Sequence, residues 1–480
     1  MQYLQLAAIP VGQIDDNIIL LAEKANLTQL DALLQPAEMA YLLQAAEKGV
    51  LSFFFPRARH GIFVRLLAPE PNEAIRLEEA RLNGNALLRE LRHYKVSSAV
   101  VRSFCADALV LAFLEGIVLG NYQFLTYFSE PDKKEQPLVS LQWAHDQAPQ
   151  AAIAEFNAVK GAVFLTRNLV NEPFSHFDTL KLADAAREAG RISGFDVEIL
   201  GKEKIESLKM GGLLAVNQAS SVPPQFCVLE WNPAEARNKK PIVLIGKGVV
   251  YDTGGLSLKP SDGMDHMKCD MAGAAAVIGA MSAAAQVKLP VHIIGLIPAT
   301  DNKIGDRALS PGDVIRMYSG TTVEVVNTDA EGRLILADAL HYAKKYEPEL
   351  VLDLATLTGA AVRALGNQAI CYMGTAPQPV KQALESSGWS TYERLVELPL
   401  WKEYGDELKS NIADLKNMGS GAAGMITAGK FLEHFADYPW LHLDIAGPAY
   451  LRNANGYRTR EGTGVGVRLL FDFLKRFYTV

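Results

Sequence analysis

Apolar residues recur along this chain in two different rhythms. Up to about residue 150 the signals are mixed. Ile18–Leu42 and Glu70–Tyr94 keep helical spacing, whereas Ala99–Val101, Ala108–Phe113 and Tyr122–Phe128 are short apolar runs whose type periodicity leaves open. Ser129 to Pro137 is polar and proline-bounded, which predicts a solvated loop. From Pro149 to about Val170, the residues Ala152, Phe156, Val159, Val163 and Leu169 return at helical spacing. The helix is expected to stop at Asn171-Glu172-Pro173, because proline disfavours the helical conformation of the residue before it. A helix over 151–172 would link an N-terminal domain, 1–150, to a larger domain, 173–480.

Beyond that helix the rhythm becomes alternating. Phe195–Leu200, Pro241–Ile245, Val291–Pro298, Val323–Val326 and Leu350–Leu354 read as strands. Between and after them, a Lys/Glu-rich turn behind Leu200, Met271–Gln286, Leu334–Tyr346 and Gly464–Tyr478 read as helices. The fold class this predicts is α/β in two domains. The C-terminal domain would carry a mixed, centrally parallel sheet flanked by helices, and the N-terminal domain would be a smaller α/β unit. In such sheets, sites gather at the carboxyl ends of strands. Met271–Val287 is the longest uncharged apolar stretch. It is short of the roughly 20 residues of a membrane span, and its alanines and glycines suit a buried helix lying close on a sheet.

Composition narrows the class without naming it. The chain has 480 residues, 49% hydrophobic and 21% charged, which excludes disordered, collagenous and low-complexity proteins. Formal charge is -7, and the first 150 residues carry 13 basic against 17 acidic side chains, so no basic half suggests a nucleic-acid partner. Cys105, Cys227, Cys269 and Cys371 lie far apart with no CxxC pair, which fits buried thiols in a reducing compartment. Met1-Gln2-Tyr3-Leu4 has no basic n-region and Asp15-Asp16 interrupts any apolar core, so no leader is expected and the protein is expected in the cytoplasm.

Three strand-to-helix connections carry unusual chemistry. Gly246-Lys247-Gly248 runs on to Tyr251-Asp252-Thr253-Gly254-Gly255 and Lys259; its glycines let backbone approach whatever Lys247 and Asp252 hold. It is not GxxxxGK[ST] and Lys247 sits before the loop, which disfavours a phosphate loop; a turn-rich connection with solvated charges is the lesser alternative. Asp270, in Met267-Lys268-Cys269-Asp270-Met271-Ala272-Gly273, precedes the alanine-rich helix, where it would also serve as an N-cap. Asn327-Thr328-Asp329-Ala330-Glu331-Gly332-Arg333-Leu334 follows a strand. If it stays extended, Asn327, Asp329, Glu331 and Arg333 share one side. The competing reading is a helix start with acids at the positive end of the dipole, which Arg333 fits poorly. No HExxH and no paired histidines are present. Taken together, Asp252, Asp270, Asp329 and Glu331 would repel one another in one pocket unless cations compensate. Two divalent ions about 3.5–4 Å apart would do so, as in two-metal hydrolases.

These segments resemble the leucyl aminopeptidase (cytosol aminopeptidase) family, whose signature is complete at Asn327–Leu334. The Gly246–Lys259 and Met267–Gly273 segments are similar to the family's earlier metal motifs, and Asp353–Gly359 and Leu443–Gly447 extend the likeness over roughly Ala162 to the C-terminus. The resemblance implies that Asp252 and Glu331 bridge two metal ions, that Asp329 completes one site and that Lys247 and Asp270 complete the other. It implies Mn²⁺ or Zn²⁺, or Mg²⁺, as the ions, with a metal-bridging water as nucleophile. Lys259 would polarise the scissile carbonyl, and Arg333 would hold a bicarbonate that shuttles a proton. Met267, Asn327, Thr356 and Gly359 would lie at the substrate. The family further implies release of N-terminal, preferably leucine-like residues from peptides, by a homohexamer. Cys269, Asn171-Glu172-Pro173 and Gly447-Pro448-Ala449-Tyr450 depart from the usual pattern without touching a proposed ligand. A DNA-binding or scaffolding hexamer and a two-metal phosphatase are the other functions weighed.

Overall fold

A computed structural model describes residues 4–12, 16–147 and 149–479, Thr479 by its backbone alone. Met1–Tyr3 and Asp15, on which the reading of the N-terminus partly rests, lie outside the described residues. The chain divides into two compact units, Met1–Gly161 with Asn453–Thr459, and Ala162–Arg452 with Arg460–Val480. The division falls inside one continuous helix, Gln150–Asn171. The return of 453–459 to the N-terminal unit was not foreseen in the sequence.

The N-terminal unit is built on a six-stranded sheet in the order Leu6–Ile9, Ser140–Ala144, Ser98–Ser103, Asn17–Glu23, Gly61–Leu67, Ser52–Pro56. It corrects one expectation. Ile18–Leu42 is not a helix: Asn17–Glu23 is a central strand, Lys24–Leu30 a tight 3-10 segment, and the helix runs only over Pro36–Glu47. Parallel neighbours on both sides bury the strand, so its apolar run is continuous rather than alternating and a short stretch of it mimics a helix face. Pro36 then opens the helix, where its missing N–H costs nothing. Glu73–His93 forms the second expected helix, with the Asn72 side chain accepting from Ala74 and Ile75. Of the open runs, Ala99–Val101 is strand, Ala108–Phe113 is helix, and Tyr122–Phe128 is irregular.

The C-terminal unit has a mixed sheet in the order Leu395–Glu397, Ile370–Gly374, Trp440–Asp444, Leu350–Ala355, Ile242–Gly246, Ile293–Asn302, Gln225–Trp231, Asp196–Leu200. The central four strands are mutually parallel, with antiparallel neighbours outside them. Successive residues serve opposite faces. Ile242 and Leu244 belong to one apolar core with Ala272–Gln286 and the C-terminal helix, while Val243 and Ile245 belong to another with Gly332–Ala343. Both faces are covered by helices, which is why the strands read as solid apolar runs. No helix of the described residues is long and apolar enough to cross a membrane.

The expected close helix is Ala272–Gln286, buried through Ala285. A Cβ on Gly273 would stand 2.0 Å from the Leu354 carbonyl oxygen and 2.9 Å from the Lys247 nitrogen. Only glycine lets the helix start press against two strand ends. Gly161, by contrast, lies in a helix with nothing within 4 Å of an added Cβ. Gly273→Ala is expected to lower stability by about 1–3 kcal/mol or more, through overpacking against backbone. Gly161→Ala is expected to raise it by about 0.5–1 kcal/mol through helix propensity. Denaturant midpoints of the two variants against the parent give the comparison.

Candidate metal centre

Ile242–Gly246 and Gly248–Asp252 follow one another along the same neighbour, Ile293–Asn302. Lys247 is the residue between them. Its N–H donates to Leu354 O at 3.0 Å, and its carbonyl accepts from Ala274 N at 3.0 Å, so neighbouring strand and helix hold its backbone. The side chain is buried against the start of the helix Gly332–Ala343, where a Cβ on Gly332 would lie 2.5 Å from Lys247 Cε. Its Nζ reaches Asp270 at 2.7 and 2.8 Å, Glu331 Oε1 at 2.9 Å and Thr356 O at 3.1 Å.

Asp252 closes its strand. Its Oδ1 accepts from Gly254 N at 2.8 Å and from Asn302 Nδ2 at 2.9 Å, and its Oδ2 lies 2.7 Å from Lys259 Nζ. Lys259 also pairs with Asp329. Single carboxylate oxygens of Asp252, Asp329 and Glu331 lie within 4.8 Å of one another, a grouping that can hold a metal ion. Glu331 Oε2 is buried and makes no hydrogen bond among the described residues. A carboxylate oxygen left so is costly, and a cation held by the three acids would satisfy it. The donor set, oxygen-rich with one amine, therefore fits divalent ions.

The charges perturb one another strongly. Burial, then the neighbouring Asp252, raises the carboxyls of Asp329 and Glu331; burial also raises Asp270, against the pull of Lys247. Burial pushes the Lys247 ammonium down, but Asp270, Glu331 and Asp252 more than offset it, and its net shift is upward. Lys259 behaves likewise, burial being outweighed by Asp252, Glu331, Asp329 and Asp270. The two ammonium groups offset part of the charge of the four acids, each pairing with two carboxylates.

Local geometry corrects two expectations. Asp270 does not cap the alanine-rich helix. It lies in a 3-10 turn, Met267–Met271, and its Oδ1 accepts from Lys247 and from Thr356 Oγ1 at 2.8 Å. The signature segment is not extended either. A turn closes at Asn327–Ala330, with Asn327 Oδ1 accepting from Asp329 N at 2.7 Å, and Glu331 already has helical backbone angles. The turn brings Asp329 and Glu331 together where a straight strand would have spaced them. Arg333 does occupy the first turn of the helix Gly332–Ala343. Its Nη1 donates to Asn417 O at 2.7 Å, its Nε has no hydrogen-bond partner among the described residues, and burial pushes it down to about 10. A buried guanidinium with a free donor suits a small oxyanion.

Lys247, Asp252, Lys259, Asp270, Asp329, Glu331 and Thr356 are thus directly linked. Met267, Asn327 and Gly359 take no direct part in these pairings: Met267 opens the turn that bears Asp270, Asn327 shapes the turn before Asp329, and Gly359 follows Thr358 at a helix start. Asn302 lies outside the segments the sequence marked, and Thr328 and Asp444 lie inside them with no role assigned. Asn302 joins Asp252 to Thr328 O, and Thr328 Oγ1 bridges Ser257 N and Gly254 O. Asp444 accepts from Leu357 N, Thr358 Oγ1 and Ala446 N, and so fixes the loop carrying Thr356. Each of these bonds except the one to Ala446 joins segments dozens of residues apart, which no local pattern reveals. Cys269 is buried and its thiol is pushed up to about 12, so it stays a small apolar filler beside Asp270.

Acids and lysines gathered at the carboxyl ends of parallel strands make this an α/β protein with a candidate metal site. The sequence profile of the cytosol aminopeptidase family, catalytic domain, matches residues 164–471. The chain belongs to that family and is a metal-dependent aminopeptidase acting on peptides. It is 48% identical to a probable cytosol aminopeptidase of Chlorobaculum tepidum over 77% of this chain and 75% of the relative. A probable cytosol aminopeptidase of Geobacter sulfurreducens is 41% identical over 98% and 96%. Among solved structures, a mutant of tomato leucine aminopeptidase superposes with a TM-score of 0.86 at 29% identity, over 98% of this chain and 96% of that one. The bottromycin maturation enzyme BotP in complex with Mn superposes with 0.84 at 30% identity, over 96% and 99%.

Asp252→Ala removes the carboxylate that faces Lys259 and Asn302 at the heart of the cluster. It is expected to abolish peptide hydrolysis and lower bound divalent metal while circular dichroism stays that of the parent. A variant that keeps full metal content and near-normal turnover would sink the assignment.

Proposed function

We propose that this chain removes N-terminal residues from peptides with a preference for apolar, leucine-like side chains, and that two divalent ions, Mn²⁺ or Zn²⁺ or else Mg²⁺, are its cofactors. The observation that carries the reading is the three-carboxylate group of Asp252, Asp329 and Glu331 with an unpartnered Glu331 oxygen, flanked by Lys247 and Asp270. Asp252 and Glu331 would be shared between the two ions, with Asp329 completing the set that would hold one and Lys247 and Asp270 completing the set that would hold the other. When bound, the ions supply Lewis acidity toward the carbonyl and an activated water.

The chain's own side chains do the rest. Lys247 would have to be neutral to serve as a ligand, its proton released to solvent as the ions, in place of its ammonium, neutralise the acids. Lys259 keeps its proton and donates to the scissile carbonyl oxygen, a contact that strengthens as negative charge builds there. Arg333, with its Nε free of hydrogen bonds among the described residues, would hold a bicarbonate whose oxygens would supply a proton acceptor. Met267, Asn327, Thr356 and Gly359 line the substrate, Met267 at the apolar side-chain pocket. The proposal extends to residues 173–480 as the catalytic part behind the 151–172 helix, and to a cytoplasmic homohexamer; the relatives' names and the family likeness support it. Hydrolysis of leucyl-p-nitroanilide by metal-stripped enzyme refilled with Mn²⁺, Zn²⁺, Mg²⁺ or Co²⁺, set against an alanyl and a phosphoester substrate, tests the reaction and the preference together.

Two lysine variants separate the roles. Lys247→Arg is expected to lower metal occupancy, because a guanidinium stays charged and does not ligate. Lys259→Arg is expected to keep both ions and lose turnover. Equal metal content in the two would show that Lys247 is misplaced. Arg333→Ala is expected to lose about 10²–10⁴-fold in kcat, the range of general-base help, with little change in KM. Bicarbonate added to carbonate-depleted buffer is expected to stimulate the parent and not this variant; an equal response would reduce Arg333 to a structural charge.

A further inference from the structure

One fully buried asparagine stands behind the acidic turn, outside every segment that the sequence marked. Asn417 follows the short strand Leu415–Lys416, which runs parallel to Thr322–Glu324. Its Oδ1 accepts from Val326 N at 2.8 Å and from Asn327 N at 3.3 Å. Its Nδ2 donates to Asn327 O at 2.6 Å and to Ala330 O at 3.5 Å. Its main-chain N–H donates to Glu324 O at 2.9 Å, and its carbonyl accepts from Arg333 Nη1 at 2.7 Å.

The turn at 326–330 lies beyond the strand Thr322–Glu324, with Thr328 and Ala330 buried and Val326, Asn327 and Asp329 half-buried, so its peptide groups need partners from elsewhere in the chain. A primary amide has an acceptor and a donor side by side, as a peptide does, so one asparagine supplies the missing partner. Aspartate would offer no donor, and alanine nothing. The same residue's backbone holds Arg333. The turn that presents Asp329 and leads into Glu331, and the guanidinium beside it, therefore share one anchor.

We infer that Asn417 is the positioning residue of this centre: it sets the separation of Asp329 and Glu331 and the placement of Arg333, without touching substrate or ion. The inference rests on the proposed metal ligation by Asp329 and Glu331. Outer supports of metal ligands are worth about 10–100-fold in affinity or activity. In the full-length, metal-stripped chain, Asn417→Ala and Asn417→Asp are each expected to weaken Mn²⁺ binding by about 10–100-fold in titration calorimetry. With Mn²⁺ saturating, kcat is expected to fall while KM for leucyl-p-nitroanilide stays within about threefold, since ground-state contacts are spared.

Asp414→Ala is the control. Asp414 ties the same two strands by accepting from Thr322 N and Oγ1, both at 2.8 Å, but among the described residues has no bond to the turn. It is expected to lower the thermal midpoint and leave Mn²⁺ affinity and kcat at parental values. If Asp414→Ala loses as much Mn²⁺ affinity as the Asn417 variants, general strand support is the cause and the inference fails. Asp329→Asn, run alongside, separates the two readings. Unchanged Mn²⁺ affinity there overturns the metal assignment beneath the inference. Loss there, with parental affinity and kcat in both Asn417 variants, overturns the role of Asn417 alone.

Discussion

Like-charge repulsion in a confined space is the constraint on which this site depends. Two carboxylates about 4 Å apart, at an effective dielectric near 20, oppose each other by about 4 kcal/mol. Four acids converge here, with single oxygens of three of them inside 4.8 Å. Lys247 and Lys259 reach into the group, and each touches two carboxylates. This balance is what makes the pocket a cation site. Removing either lysine would leave two carboxylates without their cation.

The scaffold solves the matching mechanical problem, bringing acids from distant parts of the chain to one point and holding them against their repulsion. The central parallel strands end together, and Asp252 and Asp270 arrive from the connections that follow them. Glycines permit the closest approaches: Gly273 against Leu354, Gly332 against Lys247. Polar supports complete the work. Asn302 and Thr328 lace the glycine-rich loop to the acidic turn, while Asp444 holds the Thr356 loop. Beneath lies a buried pair, Asp353 with His442, to which Trp440 donates. Burial disfavours the charged imidazole, but Asp353 more than offsets this and the His442 pKa is raised.

Much of this was legible along the chain. The close-packed alanine-rich helix, the parallel centre of the sheet and the gathering of chemistry at strand ends all follow from residue type and period, because burial on both faces of a strand leaves an unbroken apolar run. The signature octet marked Asp329, Glu331 and Arg333, and the two lysine-bearing segments marked the rest of the cluster. The same logic misled at Ile18–Leu42, where a buried strand and a following helix merge into one apolar pattern. It also misled in the octet itself, where Asn327 turns the chain through its own side chain.

What the amino-acid order determined alone was the inventory: which acids and lysines exist, in which connections, and on what class of fold. Tertiary structure decided which of them meet. Asp270 is an N-cap by local rules and becomes the partner of Lys247 and Thr356 only because distant strands place them there. Arg333 finds the carbonyl of Asn417, 84 residues away, rather than the acids beside it. Propensity and period act over a few residues, whereas hydrogen bonds and ion pairs act through space. A group such as Asn417, whose partners all lie far along the chain, leaves no local trace.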